Sequence, residues 1–209
     1  MPIRTIIADK HQMFRQGLAA LLNTDKEIMT LAQADDGEQA LFLIETLKPD
    51  IAILEVALPR LSGIEIAQRI SRMEIETCIV ILTSCEDPLV AVSTVEAGAS
   101  AYVLKKAPFD ALVAALHTVV TGGTFISPEL RGQFRELGRK GVRNITLSSR
   151  EREVIRLIAC GKSAKEVAKA LDISPRTVDT YKERMMKKIQ AHGVADIVRY
   201  AIRIGVIDR

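Results

Sequence analysis

The sequence has no tryptophan and few aromatic residues, which make up 4% of its 209 residues, and it has only three cysteines. Cys78, Cys85 and Cys160 show neither the paired spacing of a disulfide framework nor the ligand spacing of a zinc site. We therefore expect reduced thiols and no bound metal. The turn ADKHQ after the first predicted strand contains no glycine, and no segment resembles a phosphate-cradling loop or a nucleophile paired with its base. We expect no cofactor and no enzymatic activity.

Long apolar runs are also missing. The longest stretches are far short of the roughly 20 apolar residues that a membrane-spanning helix needs. The N-terminus, MPIRTIIADK, reads as a strand and lacks the basic start and long apolar core of a signal peptide. We therefore expect a cytoplasmic protein with no membrane partner.

Charge is distributed unevenly along the chain. Residues 138–209 carry 17 Lys and Arg against 8 Asp and Glu, a net charge of +9, whereas residues 1–137 carry 12 against 18, a net charge of −6. A basic segment joined to an acidic one indicates that the C-terminal part binds a polyanion, most simply nucleic acid.

The first two-thirds of the chain alternate between predicted strands and helices. Apolar runs of strand length are separated by segments such as MFRQGLAALLN, GEQALFLIETL and GIEIAQRISRM, in which apolar residues recur every three or four positions. The five runs are TIIAD, MTLAQA, IAILEV, CIVILTS and AYVLKK. This order predicts an α/β domain built on a doubly wound parallel sheet of five strands.

Four residues with hydrogen-bonding or charged side chains stand where these strands end: Asp9, Glu55, Thr83 and Lys105. Glu55 is the single carboxylate between the apolar run IAIL and the Pro- and Gly-marked loop ALPRLSG. Because open parallel sheets place their sites beyond the carboxyl ends of the strands, we expect these side chains to lie together.

The domain boundaries follow from composition. A helix in PFDALVAALHTVVTG closes the α/β domain, which we place at residues 1–122. Residues 123–146 contain one short helix after Ser127-Pro128 and then a Gly- and Arg-rich stretch that we interpret as a flexible linker, residues 138–146. Residues 147–209 form a second, small domain.

The second domain is predicted to contain four helices. LSSREREVIRLIACG has Ser148 or Ser149 as its N-cap and Gly161 past its end. SAKEVAKALDI follows, then SPRTVDTYKERMMKKI, which opens with Ser174 and Pro175, and finally VADIVRYAIRIGVI. Two short helices joined by a tight turn, the second heavily basic, are typical of a helix-turn-helix.

The segment LSSREREVIRLIACGKSAKEVAKALDISPRTVDTYKERMMKKI, together with the strand-end residues, resembles the NarL/FixJ class of bacterial two-component response regulators. In that class a flavodoxin-like receiver domain precedes a LuxR-type helix-turn-helix. TVDTY, AHGVADI and EDPL are similar to the branch that includes the GacA and UvrY regulators. The resemblance covers nearly the whole chain. It implies double-stranded promoter DNA as a partner, a homodimer, and a sensor histidine kinase.

The receiver departs from its class at two positions. Members typically have two adjacent acids after the first strand, a phosphoacceptor Asp after the third, Thr or Ser after the fourth and Lys after the fifth. The matching residues here are Asp9 with Lys10, Glu55, Thr83 and Lys105, with Tyr102 at the aromatic position associated with switching. Both departures, Lys10 in place of an acid and Glu55 in place of Asp, affect residues that take part in phosphorylation. They therefore argue against a kinase partner.

These departures have physical consequences for phosphoryl transfer, which needs Mg²⁺ held by carboxylate, water and phosphate oxygens. Lys10 replaces a negative ligand by a cation, so we expect weak or absent Mg²⁺ binding. The extra methylene of Glu55 disturbs in-line geometry, yet it carries about −1 charge toward a place where a phosphoryl group supplies nearly −2. Three hypotheses stay open: Glu55 holds an active-like switch, belongs to a structural salt-bridge cluster, or accepts the phosphoryl group.

The predicted recognition helix presents one polar face to DNA and packs the other on its domain. In PRTVDTYKERMMKKI, the spacing of Val178, Met185 and Ile189 predicts the packed face. Asp179 faces repulsion from phosphates and is expected to orient a neighbouring cation or to accept from a cytosine amino group. We assign phosphate contacts chiefly to Lys165, Arg176, Thr177 and Lys188, and base-edge contacts to Thr180, Lys182 and Glu183.

Taken together, the sequence predicts a sequence-specific DNA-binding transcription regulator with a degenerate receiver that does not rely on phosphorylation. The alternatives are a conventional phosphorylation-dependent regulator with Glu55 as acceptor and a receiver that senses a ligand or another protein. An enzyme that binds a nucleotide or another small substrate in the α/β domain is a weaker hypothesis.

Overall fold

The computed structural model describes residues 1–73, 75–139, 148–189, 191–203 and 206–207. Backbone contacts divide the chain into two compact units, Met1–Val142 and Arg143–Arg209. Of the predicted linker, residues 140–146 lie outside the described residues. No helix within the described ranges is long and apolar enough to cross a membrane.

The N-terminal unit is built on a parallel sheet with the strand order β2-β1-β3-β4-β5-β6. The strands are β1 (Ile3–Ala8), β2 (Ile28–Ala34), β3 (Ile51–Leu54), β4 (Cys78–Thr83), β5 (Ala101–Leu104) and β6 (Phe125–Ile126). The helices are α1 (Gln12–Leu22), α2 (Gly37–Leu47), α3 (Gly63–Arg72), α4 (Pro88–Glu96), α5 (Phe109–Val120) and α6 (Pro128–Arg139). The predicted parallel α/β architecture is confirmed.

The predicted number of five strands is wrong, because β6 adds a sixth at the sheet edge. It has only two residues, too few to show a period-2 pattern, and the sequence interpretation placed them in the linker. The strand forms through tertiary hydrogen bonds: the amide of Phe125 donates to the carbonyl of Ser100, and that of Ser127 to Tyr102. Ser127 is completely buried, and its hydroxyl accepts from the amide of Leu104 at 3.0 Å.

Helices cover both faces of the sheet. Alternate strand residues such as Ile53 and Val80 pack in one cluster with Leu18 of α1 and Leu116 of α5. Successive strand side chains point to opposite faces, so their neighbours face the other layer, which α2, α3 and α4 supply. This second layer includes the fully buried Ile44 and its counterparts on α3 and α4. Burial on both faces explains why these strands read as continuous apolar runs.

Two glycines let helices approach the strand ends closely. A Cβ on Gly63, the first residue of α3, would lie 2.6 Å from the carbonyl oxygen of Glu55. A Cβ on Gly37, the first residue of α2, would lie 1.6 Å from the carbonyl oxygen of Leu61. Any larger residue at either position would displace the loop that follows β3, and with it the residue at the end of that strand.

The described residues of the C-terminal unit form four helices, as predicted: α7 (Ser149–Ala159), α8 (Ala164–Leu171), α9 (Pro175–Ile189) and α10 (Val194–Arg203). Ser148 is the N-cap of α7, and Ser163 that of α8, each with a capping box completed by a Glu three residues later. Val178 and Met185 of α9 are buried in the core, as their spacing predicts, together with Ile197 of α10.

Candidate functional site

The four strand-end residues, Asp9, Glu55, Thr83 and Lys105, lie together at the carboxyl ends of the strands, which we call the carboxyl edge of the sheet. Backbone hydrogen bonds that extend the ladders position them: the amide of Asp9 donates to Ala34, that of Glu55 to Ala8, and that of Lys105 to Thr83. Ala8 is in register with Leu54, and Thr83 with Leu104, so the residues that follow lie side by side. The predicted clustering at the carboxyl edge of the sheet follows from this register.

Lys105 lies between the two carboxylates of this edge. Its Nζ is 2.7 Å from Oε2 of Glu55 and is also paired with Oδ2 of Asp9. The side chains of Lys105, Asp9 and Glu55 are only 12%, 3% and 7% exposed. We call these three residues the ion triad. Their attraction is screened weakly because water is largely excluded.

The second oxygen of each carboxylate in the ion triad is also engaged. Oδ1 of Asp9 accepts from the backbone amide of His11 at 2.9 Å and lies 2.9 Å from Nδ1 of the same residue. Oε1 of Glu55 accepts from the hydroxyl of Thr83 and, at 3.4 Å, from the amide of Ala57. Every carboxylate oxygen of the ion triad therefore has a donor within the protein.

These residues do not fit a Mg²⁺ site. Mg²⁺ demands near-octahedral oxygen ligation, and the two carboxylates here already bind an ammonium group. Lys10, directly after Asp9 and partly buried, supplies a cation where a second acid is expected. Among the residues that the structure describes, no three His, Cys, Asp or Glu side chains are grouped so that they could hold a metal ion.

Tyr102 lies inside the sheet next to this edge and is fully buried. Its hydroxyl donates to the carbonyl of Cys85 at 2.8 Å, and burial raises the pKa of Tyr102 well above its ordinary value, so the phenol keeps its proton. Burial also raises the pKa of the Cys85 thiol. Because the thiolate is the reactive form, Cys85 is poorly suited to redox chemistry.

Two contacts of this site were not predicted from the sequence. The Nζ atom of Lys105 lies 4.4 Å from the centroid of the Phe14 ring, a cation–π geometry. His11 binds Asp9 through its backbone amide and its ring Nδ1. The Phe14 contact depends on how α1 packs on the sheet, whereas the His11 contact is local, two residues along the chain from Asp9.

In the C-terminal unit, a buried acid anchors α9. The side chain of Glu151 on α7 is 6% exposed, and both of its oxygens lie 2.7 Å from Nζ of Lys188 on α9. Oε2 of Glu151 also accepts from the amide of Ser148 at 2.7 Å, within the capping box. Lys188, expected from the sequence to contact a phosphate, thus has an acidic partner inside the unit. The capping-box spacing was the available signal for Glu151.

The side of α9 opposite Val178 and Met185 is exposed and polar. At 100° per residue, Arg176, Thr180, Glu183 and Lys187 point away from the core. All four are exposed, as is Asp179 beside them. We call Arg176, Asp179, Thr180, Glu183 and Lys187 the outer face of α9.

The other predicted nucleic-acid contacts fall outside the outer face. Lys182 is half-buried and lies about 160° around the helix from Thr180. Thr177 is half-buried at the start of α9, where its amide donates to Ser174 Oγ at 3.1 Å. Lys165 is exposed on α8, the helix that precedes α9 in the helix-turn-helix.

Acidification should weaken the C-terminal unit through Glu151. Burial acts to raise the pKa of Glu151, but hydrogen bonds from Lys188 and from the Ser148 amide outweigh it and hold the pKa below the ordinary 4.5. A lowered folded-state pKa contributes stability above about pH 4.5 that is lost as pH falls through the folded value. Hydrogen bonds to charged groups contribute about 1.5–3 kcal/mol, so we expect Glu151→Gln to cost about 2 kcal/mol near pH 6.

Two measurements test this effect: the thermal unfolding of the full chain, and the hydrogen exchange of the backbone amides in α7 and α9. The difference between wild type and Glu151→Gln should shrink as the pH falls below 4.5. Glu153→Gln is the matched control, because Glu153 is half-exposed on the same helix and pairs with Arg150 at 2.7 Å. It should cost less than about 1 kcal/mol at any pH. Equal losses in the two variants would contradict the role of Glu151.

Comparison with known families accounts for both units. Residues 5–117 match the response regulator receiver domain, and residues 145–201 match the bacterial regulatory proteins of the luxR family. The chain belongs to the LuxR family of bacterial response regulators. A LuxR-family response regulator combines a receiver with a helix-turn-helix for DNA binding and transcription regulation, as the resemblance implied.

Relatives of this LuxR-family response regulator match it from end to end. The transcriptional regulatory protein MctR of Rhizobium johnstonii is 31% identical over 210 residues, 99% of this chain and 96% of MctR. The probable transcriptional regulatory protein NarL of Mycobacterium tuberculosis is 29% identical over 99% of this chain and 96% of its own. Response regulator GacA of Pseudomonas aeruginosa is 28% identical over 99% of this chain and 98% of GacA. The NarL/FixJ class is therefore confirmed, while NarL and GacA match almost equally well.

Solved structures agree with the fold of this response regulator. The response regulator ChrA of a heme-sensing two-component system is 28% identical, with a TM-score of 0.55 over 99% of both chains. RcsB from Salmonella enterica serovar Typhimurium, in a structure bound to promoter rprA with the phosphomimetic BeF3−, is 21% identical, with a TM-score of 0.67 over 96% of this chain and 98% of RcsB. At that identity RcsB supports the fold alone.

Proposed function

We propose that this protein is a homodimeric, sequence-specific regulator of transcription at promoter DNA, with no enzymatic activity and a receiver that works without phosphorylation. Since its target is chromosomal promoter DNA, we place it in the cytoplasm. Its domains are a receiver, which we extend from the expected 1–122 through β6 and α6 and so into the expected linker at 123–146, and the DNA-binding domain at 147–209. One observation carries the receiver part: Lys105 holds both Asp9 and Glu55 in a buried ion triad.

The charge balance of the ion triad argues against Mg²⁺-dependent phosphorylation. Transfer of a phosphoryl group relies on a divalent cation that neutralises charge developing on the phosphoryl oxygens. Here two carboxylates face the ammonium of Lys105, and Lys10 follows Asp9 in the chain. To bind here, a divalent cation would have to displace the ammonium group of Lys105 from both Asp9 and Glu55. A sensor histidine kinase is accordingly not required.

Glu55 supplies a permanent charge at the place where relatives of this class gain one. It accepts from the hydroxyl of Thr83 at the end of β4 and from the ammonium of Lys105 after β5. A phosphoryl group on an aspartate would offer oxygens to the same two donors. Because Glu55 contributes about −1 where a phosphoryl group contributes nearly −2, we infer a partly active state that persists without a signal from a kinase.

The outer face of α9 has the chemistry to read a major groove. Thr180 and Glu183 lie one turn apart at its centre, and a glutamate in the groove accepts from the amino group of cytosine. Arg176 and Lys187 flank them and suit phosphates. Helix-turn-helix dimers place two such helices in half-sites about one DNA turn apart, which supports a homodimer.

Exposure to a small phosphodonor tests the receiver proposal. We expect the wild-type protein, treated with acetyl phosphate with or without Mg²⁺, to gain no phosphoryl group by intact mass and to bind DNA with unchanged affinity at fixed salt. The matched variant is Lys10→Asp with Glu55→Asp, which restores the acids typical of the class and should form an acyl phosphate. A stoichiometric acyl phosphate on wild-type Glu55 would overturn the proposal in favour of a conventional regulator.

Glu55→Gln in the same DNA-binding assay separates the charge from the shape of this side chain. We expect DNA binding to weaken about tenfold, equivalent to about 1.4 kcal/mol, as the dimer dissociates. Unchanged binding and dimerisation would mean that Glu55 serves only the packing of the ion triad, with regulation located elsewhere in the chain.

A further inference from the structure

The N-terminal turn of α7 contacts both helices of the helix-turn-helix, α8 and α9. Glu151 binds Lys188 near the end of α9. Its neighbour Arg150 binds α8: the Nη2 atom of its guanidinium group donates to the carbonyl oxygen of Leu171, the last residue of that helix. The Nη1 atom of Arg150 lies 2.7 Å from Oε2 of Glu153. Two adjacent residues of α7 therefore hold the helices that present the outer face of α9.

The position of Arg150 is unfavourable for α7 itself. Arg150 lies in the first turn of this helix, where the positive end of the helix dipole disfavours a cation. Its ion pair with Glu153 offsets little of this, because the two side chains are 38% and 47% exposed and exposed ion pairs contribute little. The stability of α7 therefore gives no reason for an arginine here, whereas the contact with Leu171 does.

The same cation is favourable at the end of α8. The last four carbonyl groups of a helix have no partner within the helix, and they form the negative end of its dipole. Arg150 supplies a charged donor to one of them, the carbonyl of Leu171. Because α8 has only eight residues, its stability depends on tertiary contacts such as this one. Arg150 therefore fixes the point at which the chain leaves α8.

The turn of the helix-turn-helix, residues 172–174, starts at this point and leads directly into α9, which begins at Pro175. Its first residue, Asp172, has a φ of 51°, in the left-handed region. A residue other than glycine keeps this strained conformation where the surrounding contacts impose it. With so short a connection, a displacement of Leu171 would pass through the turn and reorient α9 together with its outer face.

We propose that Arg150 is a positioning residue for sequence-specific DNA binding, which holds the end of α8 and thereby sets the orientation in which α9 enters the major groove. The proposal deepens the proposed function and rests on it. Contacts to base edges require a fixed orientation of the reading helix, whereas contacts to phosphates form on any sequence. Loss of the Arg150 contact should therefore reduce sequence discrimination and leave affinity for unrelated DNA nearly unchanged.

Binding of the full-length protein to two duplexes of equal length tests this role, one selected with the wild-type protein and one of unrelated sequence, at fixed salt. We expect Arg150→Met to bind the selected duplex about tenfold more weakly and the unrelated duplex within about threefold of wild type. Glu153→Gln is the matched control, because it removes the exposed ion pair of Arg150 and keeps its contact with Leu171. It should bind both duplexes like wild type.

Hydrogen exchange reports on the turn itself, without DNA. The amides of Asp172 and Ile173 both donate to the carbonyl of Ala168 in α8. These two amides should exchange at least threefold faster in Arg150→Met than in wild type, and at the wild-type rate in Glu153→Gln.

Two results would overturn the proposal. Equal weakening on both duplexes would mean that Arg150 acts only through its charge, and unchanged discrimination with a lower thermal midpoint would mean that it only stabilises the unit. If Arg150→Met loses its helical content, Arg150→Gln, which is also polar but shorter, replaces it in the same comparison. A wild-type protein that prefers no duplex would instead overturn the proposed function, while exchange at Asp172 would still decide whether Arg150 holds the turn.

Discussion

Replacing Lys105 with methionine should lower the free energy of unfolding of the receiver by about 3–5 kcal/mol, the usual cost of removing one partner from a buried ion pair. The variant leaves Asp9 and Glu55 buried beside each other without the cation that links them. Methionine retains an unbranched apolar chain for packing near Phe14, so the loss arises mainly from charge. Hydrogen exchange of the β1 and β3 amides in the full-length protein measures it.

The neighbouring residue provides a control for this prediction. Lys106 pairs with Glu86 at 2.7 Å, but these side chains are 50% and 56% exposed. Lys106→Met should cost less than about 1 kcal/mol, because exposed ion pairs contribute little. Adding Glu55→Gln to Lys105→Met should recover part of the loss by removing one uncompensated charge. If Lys105→Met cost no more than Lys106→Met, the ion triad would contribute no more than a surface pair.

Replacing Thr180 with glutamate should weaken DNA binding about a hundredfold, or about 3 kcal/mol. Thr180 lies at the centre of the outer face of α9, and its exposed position tolerates a longer side chain without disturbing the core. A second carboxylate beside Glu183 would be repelled by DNA phosphates, and like charges brought together at an interface cost several kcal/mol. Fluorescence anisotropy at fixed salt, on duplexes selected with the wild-type protein, measures the change.

Thr180→Gln separates charge from size in this experiment. Glutamine has nearly the shape of glutamate without the charge, so most of the affinity should remain, with altered base preference at the contacted position. Both variants should keep the wild-type helical content. Equal, small effects of the two substitutions would mean that the outer face does not enter the groove.

The regular elements of this protein follow from local sequence patterns. The helices α7, α8 and α9 begin at Ser or Ser-Pro signals, and the capping boxes of α7 and α8 make their boundaries readable. The five long strands appear as apolar runs because both faces of the sheet are covered. Their shared direction brings Asp9, Glu55, Thr83 and Lys105 together at the carboxyl ends of the strands, so the proximity of these four residues was predictable without coordinates.

Only the tertiary structure shows which side chains pair with each other within the sites. The sequence shows two lysines near Glu55, but only packing places the ammonium of Lys105 between both acids and over the Phe14 ring. It also shows Lys188 as one of several cations on α9, whereas packing pairs it with Glu151, 37 residues away. Lys182 is basic too, yet its angular position makes it half-buried.

The sequence by itself determined the class of the protein, the order of its helices and strands, and the residues at the sheet edge, because these depend on short-range periodicity and on matching motifs. Only the tertiary structure decided the sixth strand, the pairing within the ion triad, the anchoring of α9 by Glu151 and the contact of Arg150 with the end of α8. Those features arise from contacts between residues far apart in the chain, and their geometry is set by how whole elements pack, which no local pattern encodes.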